Sequence, residues 1–167
     1  MKNFRLVLCA LALLLPAAAA RATEMEVVQP WARVTPGSHT GAVYFTLHNG
    51  GAQPDRLMSG ATPLARRAEM HSSIEENGVM RMEKIDAVEV NAGGSVPFQP
   101  SGMHVMLIGL DPSAAPGKTM PVTLHFEHAG DIQVNVPILA PGAPPPAPRA
   151  DAEPQSGAMN RMDHGSR

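Results

Sequence analysis

Histidine and methionine fall together at four positions of this chain in a way that would serve a soft metal ion. His71 is followed by ten residues and then Met82; 21 residues then separate Met82 from His104, and one separates His104 from Met106. His104 and Met106 lie in an apolar run, Met103 to Leu110, that reads as a strand, so residues two apart point to the same face. His71 and Met82 lie on the two arms of a hairpin whose turn is Asn77-Gly78, a strong signal of that kind. Three strands can thus carry two imidazoles and two thioethers to one end of a sheet. Thioether sulfur is soft and neutral, and with imidazole it favours Cu(I) over zinc, calcium or magnesium. Catalytic zinc would call for three histidines, or histidine with carboxylate. Each residue taken singly has a plainer reading: a lone strand histidine is usually solvated or hydrogen-bonded, and methionine is common core filler. Spacing alone leaves both readings open.

The other histidines and methionines sort by position. Met80 is in phase with Met82 on the same arm and could stand in for it. Met70 and Met103 face away from their neighbouring histidines and are expected in the core. His39, His48 and His125 fall on outer faces and are expected to be solvated, while His128, in phase with Val122, Leu124 and Phe126, reads as a strand-end residue. Met159, Met162 and His164 lie within six residues near the end of the chain. They are either incidental or a flexible second metal site, for Cu(I) or, with a carboxylate such as Asp163, for Cu(II).

The elements that must position these residues are strands. Val43, Phe45 and Leu47 alternate with Tyr44, Thr46 and His48 before Asn49-Gly50-Gly51 ends the run. Glu69–Ile74 and Val79–Ile85 form the hairpin arms. Val122 to His128 alternates, Ala129-Gly130-Asp131 turns, and Ile132 to Ile138 alternates back. No stretch has a helical period. Short strands with a turn every eight to twelve residues predict an all-β, Greek-key β-sandwich or barrel over residues 23–140. From residue 141 to 167 the composition shifts to proline, alanine and glycine without apolar periodicity, which predicts a disordered tail.

Residues 1–22 have the grammar of a secretory signal: Lys2 and Arg5, then the apolar run Leu6 to Leu15, then small residues allowing cleavage after Ala20 or Ala22. The alternative is an uncleaved anchor. Cys9, the only cysteine, lies inside this segment behind Leu8, an unfavourable context for lipoprotein cleavage, so the exported chain would have no thiol and no disulfide. That excludes a blue-copper site, which needs cysteine. It also suits an oxidising compartment, where exposed thiols are lost. Removing Lys2, Arg5 and Arg21 leaves ten basic against 15 acidic residues, a balance that argues against a nucleic-acid partner.

Several stretches resemble the PCu(A)C family of periplasmic copper chaperones. They are Glu69-Met70-His71, Asn77-Gly78-Val79-Met80-Arg81-Met82 and Ser101 to Leu110, approached by Trp31-Ala32-Arg33, Gly41-Ala42-Val43-Tyr44-Phe45, Asn49-Gly50-Gly51 and Asp55-Arg56-Leu57. The similarity covers about residues 25 to 139, and the His-x10-Met-x21-His-x-Met pattern is met without a gap. The resemblance implies a cupredoxin-like fold and Cu(I) held by His71, Met82, His104 and Met106. It further implies a periplasmic, non-enzymatic monomer that supplies copper towards the copper A centre of cytochrome c oxidase. The partner would be an oxidase subunit or a Sco-type protein. Against this stand three alternatives: a general periplasmic copper scavenger or storage protein, a copper-dependent enzyme, and an interaction module without metal. No nucleophile-elbow motif accompanies the Ser, His and Asp residues present.

Overall fold

The computed structural model describes residues 25–35 and 37–147. The signal expected at 1–22 lies outside the described residues. Ten strands follow in chain order: β1 (Met25–Val34), β2 (Thr40–Asn49), β3 (Asp55–Ala61), β4 (Ala65–Glu76), β5 (Val79–Lys84), β6 (Val88–Val90), β7 (Ser95–Phe98), β8 (Met103–Leu110), β9 (Thr119–Phe126) and β10 (Gly130–Leu139). Among the described residues no helix is long and apolar enough to cross a membrane.

Hydrogen bonding runs β5-β4-β8-β2-β1-β10-β9-β3-β6, with β7 added to β2. The two halves of this path meet at a parallel pairing of β1 with β10, where Ala32 lies opposite Ile138. Inward-facing residues of both halves share one core: Val43, Phe45, Leu47, Val105 and Leu107 from one side, Leu57, Val122, Leu124, Phe126 and Val136 from the other. The alternation legible in β2, β8 and β9 is therefore the inner face of a β-sandwich. The path does not close into a barrel; β5 and β6 are its ends.

The Asn77-Gly78 turn has the form its sequence predicts. Both residues have positive φ, 54° and 77°, as a type I′ turn requires. The β9–β10 turn falls earlier than the sequence indicates. Phe126 already pairs with Gly130, so the connection is Glu127 to Ala129. Asp55 is buried, and its carboxylate accepts the backbone N–H groups of His128 and Ala129 (3.0 and 2.9 Å). Those two bonds satisfy donors that would otherwise be lost in the turn, and they fix its place.

One irregularity matters for function. Between Val28 and Trp31, β1 carries an extra residue relative to β2, with Gln29 at φ 49° followed by Pro30. Such a bulge shifts the side-chain phase by one. Met25 and Val27 point toward the core before it; Ala32 and Val34 do so after it. Trp31 and Arg33 are thereby turned onto the outer face. The strands end at Leu139, but the chain stays close for a further stretch. A turn closed by Ala143 N–H to Ala140 O (3.0 Å) sends it back along β1. Arg33 Nη2 donates to Ala143 O (2.8 Å) and Gln29 Nε2 to Ala147 O. Residues 141–147, expected to be disordered, are thus pinned on either side of Trp31.

Candidate functional site

The hairpin and its neighbour place the four predicted residues on the outer face of one sheet. β4 pairs with β8 so that His71 lies opposite His104 and Glu69 opposite Met106. β4 pairs with β5 so that Ser73 lies opposite Met82. Directly opposed residues share a face, so His71, Ser73, Met82, His104 and Met106 all project outward. Met82 is one diagonal step from His71 toward the hairpin tip; Met106 is one step from His104 in the other direction. Met82, His104 and Met106 border one depression of about 340 Å³, together with Arg33, Tyr44 and Ser73. His71 lies beside it rather than on its wall. A larger depression of about 550 Å³, near His39, Arg66 and Asp111, contains none of the four.

The two histidines are held differently from the two methionines. His104 is 7% exposed, and its Nδ1–H donates to Gly102 O at 3.2 Å. Gly102 O also accepts Ser73 N–H (3.1 Å), so the loop before β8 ties β4 and the His104 ring together. The loop takes this shape because Ser101 adopts φ 64° and Gly102 N–H closes onto Gln99 O (3.0 Å). His71 donates Nε2–H to Glu69 Oε2 at 3.3 Å. A carbonyl or carboxylate acceptor demands an N–H, so each bond fixes the tautomer. The free lone pair is then on Nδ1 of His71 and Nε2 of His104. His71 Nδ1 is buried and has no hydrogen-bond partner. A buried acceptor without a partner carries a desolvation penalty that a bound cation would remove.

The ring centres of His71 and His104 are 5.9 Å apart and nearly perpendicular. With metal–nitrogen bonds of about 2.0–2.1 Å, two imidazoles on one ion have centres at most about 6.4 Å apart, so this pair is within range. Among the described residues no three His, Cys, Asp or Glu side chains are placed to hold a metal ion. Any such site on this face must therefore draw on the thioethers. Met82 is 56% exposed and Met80 53%. Met159, Met162 and His164 lie outside the described residues.

The bulge in β1 builds the rest of the face. Trp31 lies opposite Tyr44, with ring centres 4.4 Å apart, and Tyr44 is 6.2 Å from His104. Trp31, Tyr44, His104 and His71 thus form a row of rings across β1, β2, β8 and β4. Arg33 covers the outer end, its guanidinium 5.1 Å from the Trp31 ring centre, a cation–π contact. Burial pushes the Tyr44 hydroxyl above its usual pKa, and the Arg33 charge partly offsets this. Sequence reasoning placed Tyr44 on the outer face and quoted Glu69, Trp31 and Arg33 among the family-like stretches, but gave none of the four a role in the site. Glu69 could have been found, since it is two residues from His71 on the same strand. Trp31 and Arg33 could not be placed without knowing of the bulge. Met70 is buried and Met103 packs against the core, both as expected; His39 and His125 are exposed.

The LpqE-like family matches residues 25–138, nearly the whole strand framework. The chain belongs to that family. Protein RP573 of Rickettsia prowazekii (strain Madrid E) is 32% identical over 130 residues, which span 75% of this chain and 70% of the relative. The solution structure of CuI-DR1885 from Deinococcus radiodurans is 29% identical, with a TM-score of 0.56 over 74% of this chain and 85% of its own. The copper-bound PCuAC domain from PmoF2 shares the fold with a TM-score of 0.61, at 24% identity, over 71% of this chain and 94% of its own. The PCuAC assignment and the all-β, cupredoxin-like architecture read from the sequence both stand.

Proposed function

We propose that this LpqE-like protein is an exported copper chaperone that holds one Cu(I) between His71, Met82, His104 and Met106 and releases it to an acceptor protein. The observation that carries the reading is the pair of outward imidazoles with fixed tautomers, His71 keeping a buried, unpartnered Nδ1, beside a depression lined by two thioethers. Two borderline nitrogens and two soft sulfurs suit Cu(I). The bonds to Glu69 and Gly102 orient the rings, as partners outside the ligand shell do in metal sites generally. The copper forms of DR1885 and of the PmoF2 domain, which share this fold, lend the same direction.

The reading is of a carrier, since four donors leave no open position for a reacting substrate. Transfer proceeds by ligand exchange: an exposed thioether lets go as a donor from the acceptor binds. The compartment is the periplasm, reached through the N-terminal signal. The acceptor is an oxidase subunit or a Sco-type protein on the route to the copper A centre; storage or scavenging is the competing use of the same site. The test is competition for Cu(I) with a chromophoric chelator. The His71→Ala, His104→Ala double variant should lose binding by more than the roughly 10- to 100-fold typical of removing an outer-shell partner. Unchanged affinity in that variant would reject the site.

A further inference from the structure

Among the described residues, four of the five large apolar side chains that stand exposed lie on one hairpin: Ile74, Val79, Met80 and Met82. Every residue of β5 is exposed, and β5 is an end of the strand path, with β4 its only neighbour among the described strands. The hairpin projects past the core, so packing gives these side chains no reason to be apolar, and an edge strand is a place where charged residues are usually favoured. The register separates them into two sets. Ile74 opposes Arg81 and Glu76 opposes Val79 on one face. Met82 opposes Ser73 and Met80 opposes Glu75 on the other, the face of His71 and His104. Two thioethers thus stand in line, one beside the depression and one a step of about 6.8 Å further toward the tip.

We infer that Met80 is an outer thioether position for Cu(I), occupied in passing as the ion moves between Met82 and an acceptor or donor at the hairpin tip. The inference rests on the copper reading of the pocket. Two sulfurs on one ion lie at most about 4.6 Å apart at metal–sulfur bonds near 2.3 Å. Met80 and Met82 can meet that limit because each has three rotatable side-chain bonds and neither is held by packing. Met80 is not a resident ligand in this scheme, because it stands two same-face rows from the His71–His104 row, where Met82 and Met106 each stand one. Each step is an exchange: a bond from Met80 sulfur to Cu(I) forms as a bond to an inner donor breaks. Copper stays Cu(I), and no electron or proton moves. An outer neutral donor raises the local concentration of captured ion beside the inner site and gives a departing ion a halfway position.

The test uses the full chain and the Met80→Leu variant, which keeps the side chain's size on an exposed strand and so should fold as the parent does. The equilibrium Cu(I) affinity of Met80→Leu should stay within about twofold of the parent, as for a surface change. Its rates of uptake from, and release to, a chromophoric Cu(I) chelator should fall by about tenfold or more. Methyl NMR with Ag(I), a soft ion with no redox chemistry here, should move the Met106 and Met82 methyl signals first and the Met80 signal as Ag(I) goes into excess. Unchanged exchange rates in Met80→Leu would overturn the inference. So would an affinity loss as large as that of Met82→Leu, since Met80 would then be a resident ligand. A parent protein that leaves the Met82 and Met106 signals in place at any Ag(I) level would overturn the pocket reading itself, and this inference with it.

Discussion

His104 and Met82 project from the same face of one sheet, yet His104 is 7% exposed and Met82 56%. His104 stands in the middle of the sheet, where Tyr44 flanks it and Gly102 O fixes its ring. Met82 stands on an edge strand with solvent on one side. On the proposed copper reading, the difference assigns tasks. A donor held in place by its surroundings loses little freedom on binding, so it can supply affinity. A donor on a flexible, exposed side chain must be ordered at each binding event, and it is open to exchange. A carrier needs both, since an ion held only by fixed, buried donors would leave slowly and one held only by mobile donors would not be retained.

The largest expected effect tests that division directly. His104→Ala should weaken Cu(I) binding by about 100-fold or more, beyond the range for outer-shell changes. Met82→Leu should weaken it less and should act mainly on the release rate. Competition titrations together with stopped-flow release separate the two. Equal equilibrium losses with equal rate changes would dissolve the distinction.

The next effect concerns the segment that runs back along β1. Deleting residues 141–167 removes the acceptors of Arg33 Nη2 and Gln29 Nε2. The apo domain should lose only about 1–2 kcal/mol in urea unfolding, the usual worth of two hydrogen bonds. Copper analysis of the same variant reports on Met159, Met162 and His164: if they bind metal, one equivalent should disappear.

How much of this could be read from the sequence depends on whether a residue's position follows from local alternation. Val43, Phe45 and Leu47, or Val122, Leu124 and Phe126, are core because period two runs unbroken through their strands. The Asn77-Gly78 turn sets the hairpin register, and with it the shared face of His71 and Met82. The opposition of His71 and His104 arises between strands 33 residues apart; the spacing pattern and the family resemblance put both in one site, but their register was not legible. The face beyond His104 was not legible. Gln29 and Pro30 insert one residue into β1 and invert the phase of Trp31 and Arg33; a proline inside a strand is compatible with a bulge, but equally with an edge, so the local pattern does not fix the shift. The docking of residues 143–147 was hidden for a related reason: it uses backbone carbonyls, which composition does not reveal.

The smallest effect sharpens the picture of the fixed half. Tyr44 is the only tyrosine, so an ultraviolet titration reports it alone. Burial raises its pKa, so its midpoint should lie above the usual 10.0. The sign follows for stability: the contribution is complete below pH 10.0 and is lost as pH rises through the higher folded value. A midpoint at or below the usual value would mean that the ring row is open to water.

The central claim is that one Cu(I) is bound jointly by the fixed imidazoles and the mobile thioethers. X-ray absorption at the copper edge, on the chain loaded with a single equivalent of Cu(I), tests it most directly. The account predicts both imidazole nitrogen and thioether sulfur scatterers around one copper, with part of the sulfur signal lost in Met82→Leu and the nitrogen signal lost in the His71→Ala, His104→Ala variant. A parent spectrum with nitrogen and oxygen neighbours alone, or one unchanged by those substitutions, would contradict it.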